Sequence, residues 1–138
     1  MEIGKSIYNI LYNNGTGDVF DIVGTKIFPN VAPQTTQFPF IIYDINGVQP
    51  NDTKEGPSTL DTNDVMISCY SETYSQASDL ATKIRIAMDR INQGTYGGEI
   101  IQSSQFQTYN DIFDDTSGDS GIYRKALNFE IRQINPTN

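Results

Sequence analysis

The 138-residue sequence has no histidine, no tryptophan and a single cysteine, and its nine basic side chains are outnumbered by seventeen acidic ones. Without histidine, Ser-His-Asp and Cys-His nucleophilic pairs and His-containing zinc sites are excluded from this chain. The lone Cys69 rules out an internal disulfide and Cys-only metal or iron–sulfur sites. It lies in the apolar run 65–70, where a thiol packs as a small hydrophobe, and it fits a reducing compartment. The formal charge of −8 repels phosphate and argues against nucleic-acid binding through a basic patch. Only Arg124, Lys125 and Arg132 approach a basic cluster, and beside Glu130 they read as a solvated strand face. Long apolar runs are also missing: nothing reaches the roughly 18 residues of a membrane span, and residues 1–14 lack a secretory core, so a soluble, unexported protein is expected. The sequons at Asn14 and Asn51 are then ordinary turns.

The chain itself fits one domain over residues 1–138. Its 37% hydrophobic content is near the low end for a self-sufficient core, which points to burial shared with a partner. Ile3, Ile7, Ile10 and Leu11 fall at helical spacing and predict a helix over about 2–13, stopped by Asn13-Asn14-Gly15. A brief strand is expected around Ile27-Phe28. Residues 38–45 form the first strong strand, apolar enough to be covered on both faces and central in a sheet. Residues 46–62 show no periodicity and read as a long loop, followed by a strand over 63–70 that alternates Val65, Ile67 and Cys69 against Met66, Ser68 and Tyr70.

The period then changes. Thr73 and Gln76 have capping-box form, and Ala77, Leu80, Ala81, Ile84, Ala87, Met88 and Ile91 make a helical stripe ending near Gly94. A strand over 99–109, bulged near Ser103-Ser104, leads to a polar loop over 110–121. The last strand, 122–134, sets Tyr123, Leu127, Phe129 and Ile131 against Arg124, Asn128, Glu130 and Arg132. The order predicts an α+β fold, a mostly antiparallel sheet packed by two helices.

Little in this pattern can do chemistry, and no catalytic, cofactor-binding or metal-binding residue is assigned. Gly15-Thr16-Gly17 lacks the third glycine and preceding strand of a dinucleotide site and reads as a turn. The aspartates Asp111, Asp114, Asp115 and Asp119 could offer oxygen ligands to a hard cation, but no start among them satisfies the EF-hand register, and the stretch reads as a solvated turn.

Several segments occur in a telling order: Lys26-Ile27-Phe28-Pro29 with Ala32-Pro33-Gln34, Phe38-Pro39-Phe40-Ile41-Ile42-Tyr43, Ile67-Ser68-Cys69-Tyr70-Ser71-Glu72-Thr73-Tyr74 with Ala77 and Leu80-Ala81, and the closing run from Gly121 to Ile131. Over nearly its whole length the sequence resembles the phage tail completion, or tail terminator, family of tail-to-head joining proteins. The resemblance implies a tail-terminator-like fold and a homo-hexameric ring that caps the tail tube and ends its polymerisation. That ring would touch the tail tube ring and the head–tail connector, and DNA would pass its lumen without specific binding. It implies a virion protein assembled in the host bacterial cytoplasm, with no catalysis, cofactor or membrane. Two alternatives stand beside it: a head-completion or neck adaptor of the same particle, and a metal-binding module on the aspartate loop. The expected contact or lumen residues are Asp52, Lys54 and Glu55 of the long loop, Asp111, Asp114, Asp115 and Asp119 of the acidic loop, and Arg124, Glu130 and Arg132 of the last strand.

Overall fold

The structure, a computed structural model, describes residues 3–12, 18–50, 60–114 and 122–134. Helix α1 spans Ile3–Tyr12 and buries the expected stripe of Ile3, Ile7, Ile10 and Leu11. A second short helix, α2, spans Asp18–Val23 and buries Val19 and Val23 one turn apart. At six residues the segment is too short for its apolar positions to register as a helical period, so this helix is not legible in sequence. Gly24, at φ +61, follows it in the left-handed conformation that ends helices.

Strand β1, Ile27–Pro29, lies parallel to β2, Phe40–Pro50. Strand β2 pairs antiparallel with β3, Leu60–Ser71, so much of the stretch expected as a long loop is sheet. Only 51–59 of that loop lies outside the described residues. Helix α3, Tyr74–Met88, follows. Strands β4 (Gly94–Tyr96), β5 (Glu99–Asp114) and β6 (Ile122–Ile134) complete a six-stranded sheet ordered β1-β2-β3-β6-β5-β4. The sheet is mixed, which corrects the mostly antiparallel expectation: β1 has too short a connection to β2 for a full crossover unit yet joins it in parallel over three residues. The centre is the β3–β6 pair. Strand β2 is next to the edge, and its apolar run reflects burial of Phe40 to Tyr43 alone, since the residues beyond Asp44 are exposed.

Helix α3 begins at Thr73, whose side chain accepts from the Gln76 amide. The reciprocal half of the expected capping box is relayed: the Thr73 amide donates to Ser71 Oγ at 3.2 Å, and Ser71 Oγ donates to Gln76 Oε1 at 2.6 Å. The helix ends at Asp89, whose amide donates to the Arg85 carbonyl. The Asp89 carboxylate then accepts from the Phe106 amide at 2.9 Å, and the Arg90 amide donates to the Ser104 carbonyl at 2.7 Å, so the helix end is tied to β5.

All three helices contribute to one apolar layer on one face of the sheet, with Ile41, Val65, Ile67, Leu80, Ile84, Met88, Phe129 and Ile131 in its core. Phe129 sits at its centre, fully buried and edge-on to Phe106, with ring centroids 5.8 Å apart. The β4–β5 hairpin turns through Gly97 and Gly98, both at positive φ, and reaches α1: Ser6 Oγ donates to the Tyr96 carbonyl at 2.7 Å. A Cβ on Gly97 would stand 2.6 Å from the Lys5 carbonyl oxygen, so only glycine allows this approach. Among the described residues no helix is long and apolar enough to cross a membrane.

Phe129→Ala should lower stability by about 3–5 kcal/mol, the range for emptying a large buried aromatic site, whereas Thr73→Ala should lower it by about 0.5–2 kcal/mol through the lost cap. Chemical denaturation of both variants checks the order; a smaller loss for Phe129→Ala than for Thr73→Ala contradicts the packing described.

Candidate interaction surfaces of the sheet

Alternation along β6 gives the sheet two unlike faces. Leu127, Phe129, Ile131 and Gln133 face the helices, and Arg124, Ala126, Asn128, Glu130 and Arg132 lie on the other, helix-free face. The three residues expected to share a face, Arg124, Glu130 and Arg132, do so. Register brings Asp64 beside Glu130 and Thr62 beside Arg132 on β3, with Gln105 and Ser103 opposite them on β5. A concavity of about 600 Å³ opens at this polar end, lined by Gly47, Gln49, Thr62, Asp64 and Glu130 among others.

At the opposite end the same face is covered by its own aromatics. Phe38, Phe40 and Tyr70 stack with centroids 5.1 and 4.9 Å apart. The Arg124 guanidinium stands 5.6 Å from the Tyr70 ring and donates to Ser68 Oγ at 3.2 Å. Arg124 is therefore half-buried, not solvated, and its Nε is buried with no hydrogen-bond partner among the described groups. Burial raises the Tyr70 hydroxyl above its usual pKa against the opposing charge of Arg124.

Lys125 is the larger departure. It does not join Arg124 and Arg132, because its place in the alternation puts it on the helical face, with 6% of its side chain exposed. Its Nζ lies 2.5 Å from Asp111 Oδ1 and 3.4 Å from the Tyr74 hydroxyl, and 4.5 Å above the Tyr74 ring. Burial pushes its pKa down, but the hydrogen bonds to Asp111 and Tyr74 and the charge of Asp111 outweigh that and leave it above its usual value. The ammonium is held charged by a carboxylate and an aromatic face.

Asp111 and Asp114 accordingly belong to β5 and not to a loop: the Tyr109-x-Asp111-x-Phe113 alternation carried that signal and was masked by the polar residues around it. Asp111 Oδ1 is bonded to Lys125, and its Oδ2 accepts from the Tyr74 hydroxyl at 3.4 Å. Asp52, Lys54, Glu55, Asp115 and Asp119 lie outside the described residues. Sequence reasoning also missed Tyr74, Tyr109, Ile112 and Phe113, which gather exposed at this end of the sheet, with Phe113 4.8 Å from the Tyr123 ring.

The sheet thus has one face covered by helices and one free of them, and a family model for tail completion protein gp17 matches residues 15–134. The chain belongs to that family. As a member of the tail completion family it is a structural protein of the phage virion, in its tail or neck, and membership implies a non-enzymatic part. Its fold is similar to that of a chain in the virion of the native gene transfer agent particle, with a TM-score of 0.70, 16% identity, and 93% of this chain and 91% of that chain covered. No curated protein matches by sequence.

For this tail completion protein the described side chains act as structural anchors. The Cys69 thiol donates to the Ala77 carbonyl at 3.6 Å, and burial pushes its pKa up to about 12, so it is a neutral core group, not a nucleophile. A thiol reagent should leave the native chain unmodified and label Cys69 only on unfolding; rapid labelling of folded protein contradicts that. Asp111→Ala should cost about 1–2 kcal/mol, less than the 3–5 of a fully buried pair because Asp111 is 44% exposed. Since the folded Lys125 pKa is raised above 10.5, the stabilisation is complete below that value and lost as pH climbs through the raised one. Denaturation curves of wild type and Asp111→Ala should differ at neutral pH and converge in strong alkali; a gap that widens with alkali contradicts the pairing.

Proposed function

We propose that this tail completion protein acts as the terminator: a ring at the head-proximal end of the tail tube, six copies in the assembled particle, that ends tube polymerisation and docks the head connector. The family match over residues 15–134 carries this reading. The structure supports it physically. The sheet is covered by helices on one face only, and a subunit of modest apolar content gains by sharing surface with neighbours.

Charge fits the same job. A lumen that passes DNA must not grip phosphate, and −8 per subunit multiplies around a ring into a repelling field. Within that reading Asp52 and Glu55, with Asp115 and Asp119, face the lumen or an adjoining ring, with Lys54 among them. Asp64, Glu130 and Arg132 present the polar end of the helix-free face. Asp111, neutralised by Lys125, contributes little to the field.

Electron microscopy of particles made without the protein tests the terminator role: tails of uncontrolled length are expected, whereas tails of normal length that fail to join heads would replace it by a neck adaptor. Changing Asp52, Glu55, Asp115 and Asp119 together to their amides should leave the melting temperature unaltered and reduce head joining or DNA delivery. Fully infectious particles from that variant contradict the charge argument.

A further inference from the structure

Among the described residues, the two margins of the sheet are open over stretches of matching length. On one side β1 covers only Ile41, Ile42 and Tyr43 of β2, and among the described residues 44–50 pair with β3 alone. On the other, β4 covers Glu99 to Ile101, and Asp89 and Arg90 of the helix end bind Phe106 and Ser104. Among the described residues, 107–114 of β5, with a bulge at 107, have β6 as their strand partner. Seven and eight residues at about 3.3 Å each make two open edges of roughly 23–26 Å.

Open edges are normally defended by charged side chains, above all lysine, by proline and by bulges, and these two carry Asp44, Pro50, Asp111, Asp114 and one bulge each. Neither stretch contains a lysine or arginine, and the Asp111 charge is already paired with Lys125. Instead Ile45 and Val48 on β2, and Tyr109, Ile112 and Phe113 on β5, are between 37% and 56% exposed. Five large apolar side chains thus stand at the two places where, among the described residues, the outer edge of the strand has no strand beside it.

Direction and facing agree between the two edges. Strand β2 is antiparallel to β3, β3 to β6 and β6 to β5, so β2 and β5 run in opposite senses within one chain. Placed beside the β2 edge of a second copy in one continuous sheet, β5 is antiparallel to it. Ile45 and Val48 share the helical face with Tyr109 and Phe113, as their registers with Val65, Asn63, Leu127 and Tyr123 require. Four of the five apolar side chains therefore meet on the same side of the joined sheet, and Ile112, in register with Arg124, lies on the other. The Lys125–Asp111 bridge and Tyr74 fix the β5 end beforehand, which reduces the ordering cost of docking. Each edge also carries a bulge, after Ile45 and after Phe106, which adds the local twist that a curved joined sheet needs.

We infer that the β5 edge 107–114 of one copy pairs antiparallel with the β2 edge 44–50 of the next, head to tail. The inference rests on the ring reading, since such a contact repeats from copy to copy and closes only if the rotation does. It adds which surfaces join and which side chains seal the seam.

The test uses tails purified from particles that carry the variant chain Val48→Cys/Tyr109→Cys, treated with a short bismaleimide; the buried Cys69 does not compete. A ladder of dimer, trimer and higher species is expected from the double variant and none from either single variant. Absence of a ladder, with the chain present in the tails, overturns the edge pairing and leaves the ring reading standing. Cross-linking of a single variant to itself overturns it in favour of a symmetric contact. In parallel, Ile45→Lys/Val48→Lys should melt within a few degrees of wild type and be at least tenfold depleted from tails. Its normal incorporation contradicts the inference.

Discussion

The rest of the structure hangs on the position of β6, hydrogen-bonded along its length to β3 on one side and β5 on the other. Its alternation decides everything around it. Phe129, flanked in register by Val65 and Phe106, draws the helices to one face, and Arg124, Asn128, Glu130 and Arg132 are left on the other. Because one layer of helices covers a six-stranded sheet, the opposite face and both margins must be solvated, self-covered or met by another molecule. All three solutions occur: polar residues at one end of the face, the Phe38–Phe40–Tyr70 stack at the other, and margins with exposed apolar groups.

Charge placement follows from the same constraint. Adjacent residues of a strand go to opposite faces, so Arg124 and Lys125 have separate fates although they are neighbours in sequence. Arg124 lies against Tyr70 and Ser68, whereas Lys125 is buried beneath Tyr74 and bonded to Asp111. An acidic protein here uses one of its few cations to fix the end of a strand. That end is also where exposed aromatics gather, so the anchor and the contact surface are continuous.

Much of this was legible beforehand. Helix α1, the Thr73 start of α3, the existence of β1, β3, β5 and β6 and the facing of Arg124, Glu130 and Arg132 were all visible in apolar period or capping chemistry. What failed has physical reasons. Helix α2 is six residues long, β4 is three, and the strand extensions 46–50, 60–62 and 110–114 mix polar residues with single apolar ones that show no sustained alternation. Lys125 is contiguous in sequence with Arg124 but falls on the opposite phase of the strand, so composition groups it with its basic neighbours and alternation separates it from them. The family resemblance held, and the tail completion model spans residues 15–134. The loop residues Asp52, Lys54, Glu55, Asp115 and Asp119 had no local pattern to place them, and they lie outside the described residues.

The proposed ring between tail tube and head makes a prediction about where this chain sits in the particle and in how many copies. Localising an epitope tag on this chain in intact particles, with copies counted per tail, tests it most directly. Label confined to the head-proximal end at six copies per tail is the predicted result. Label at the distal tip, or spread along the tube, would contradict it.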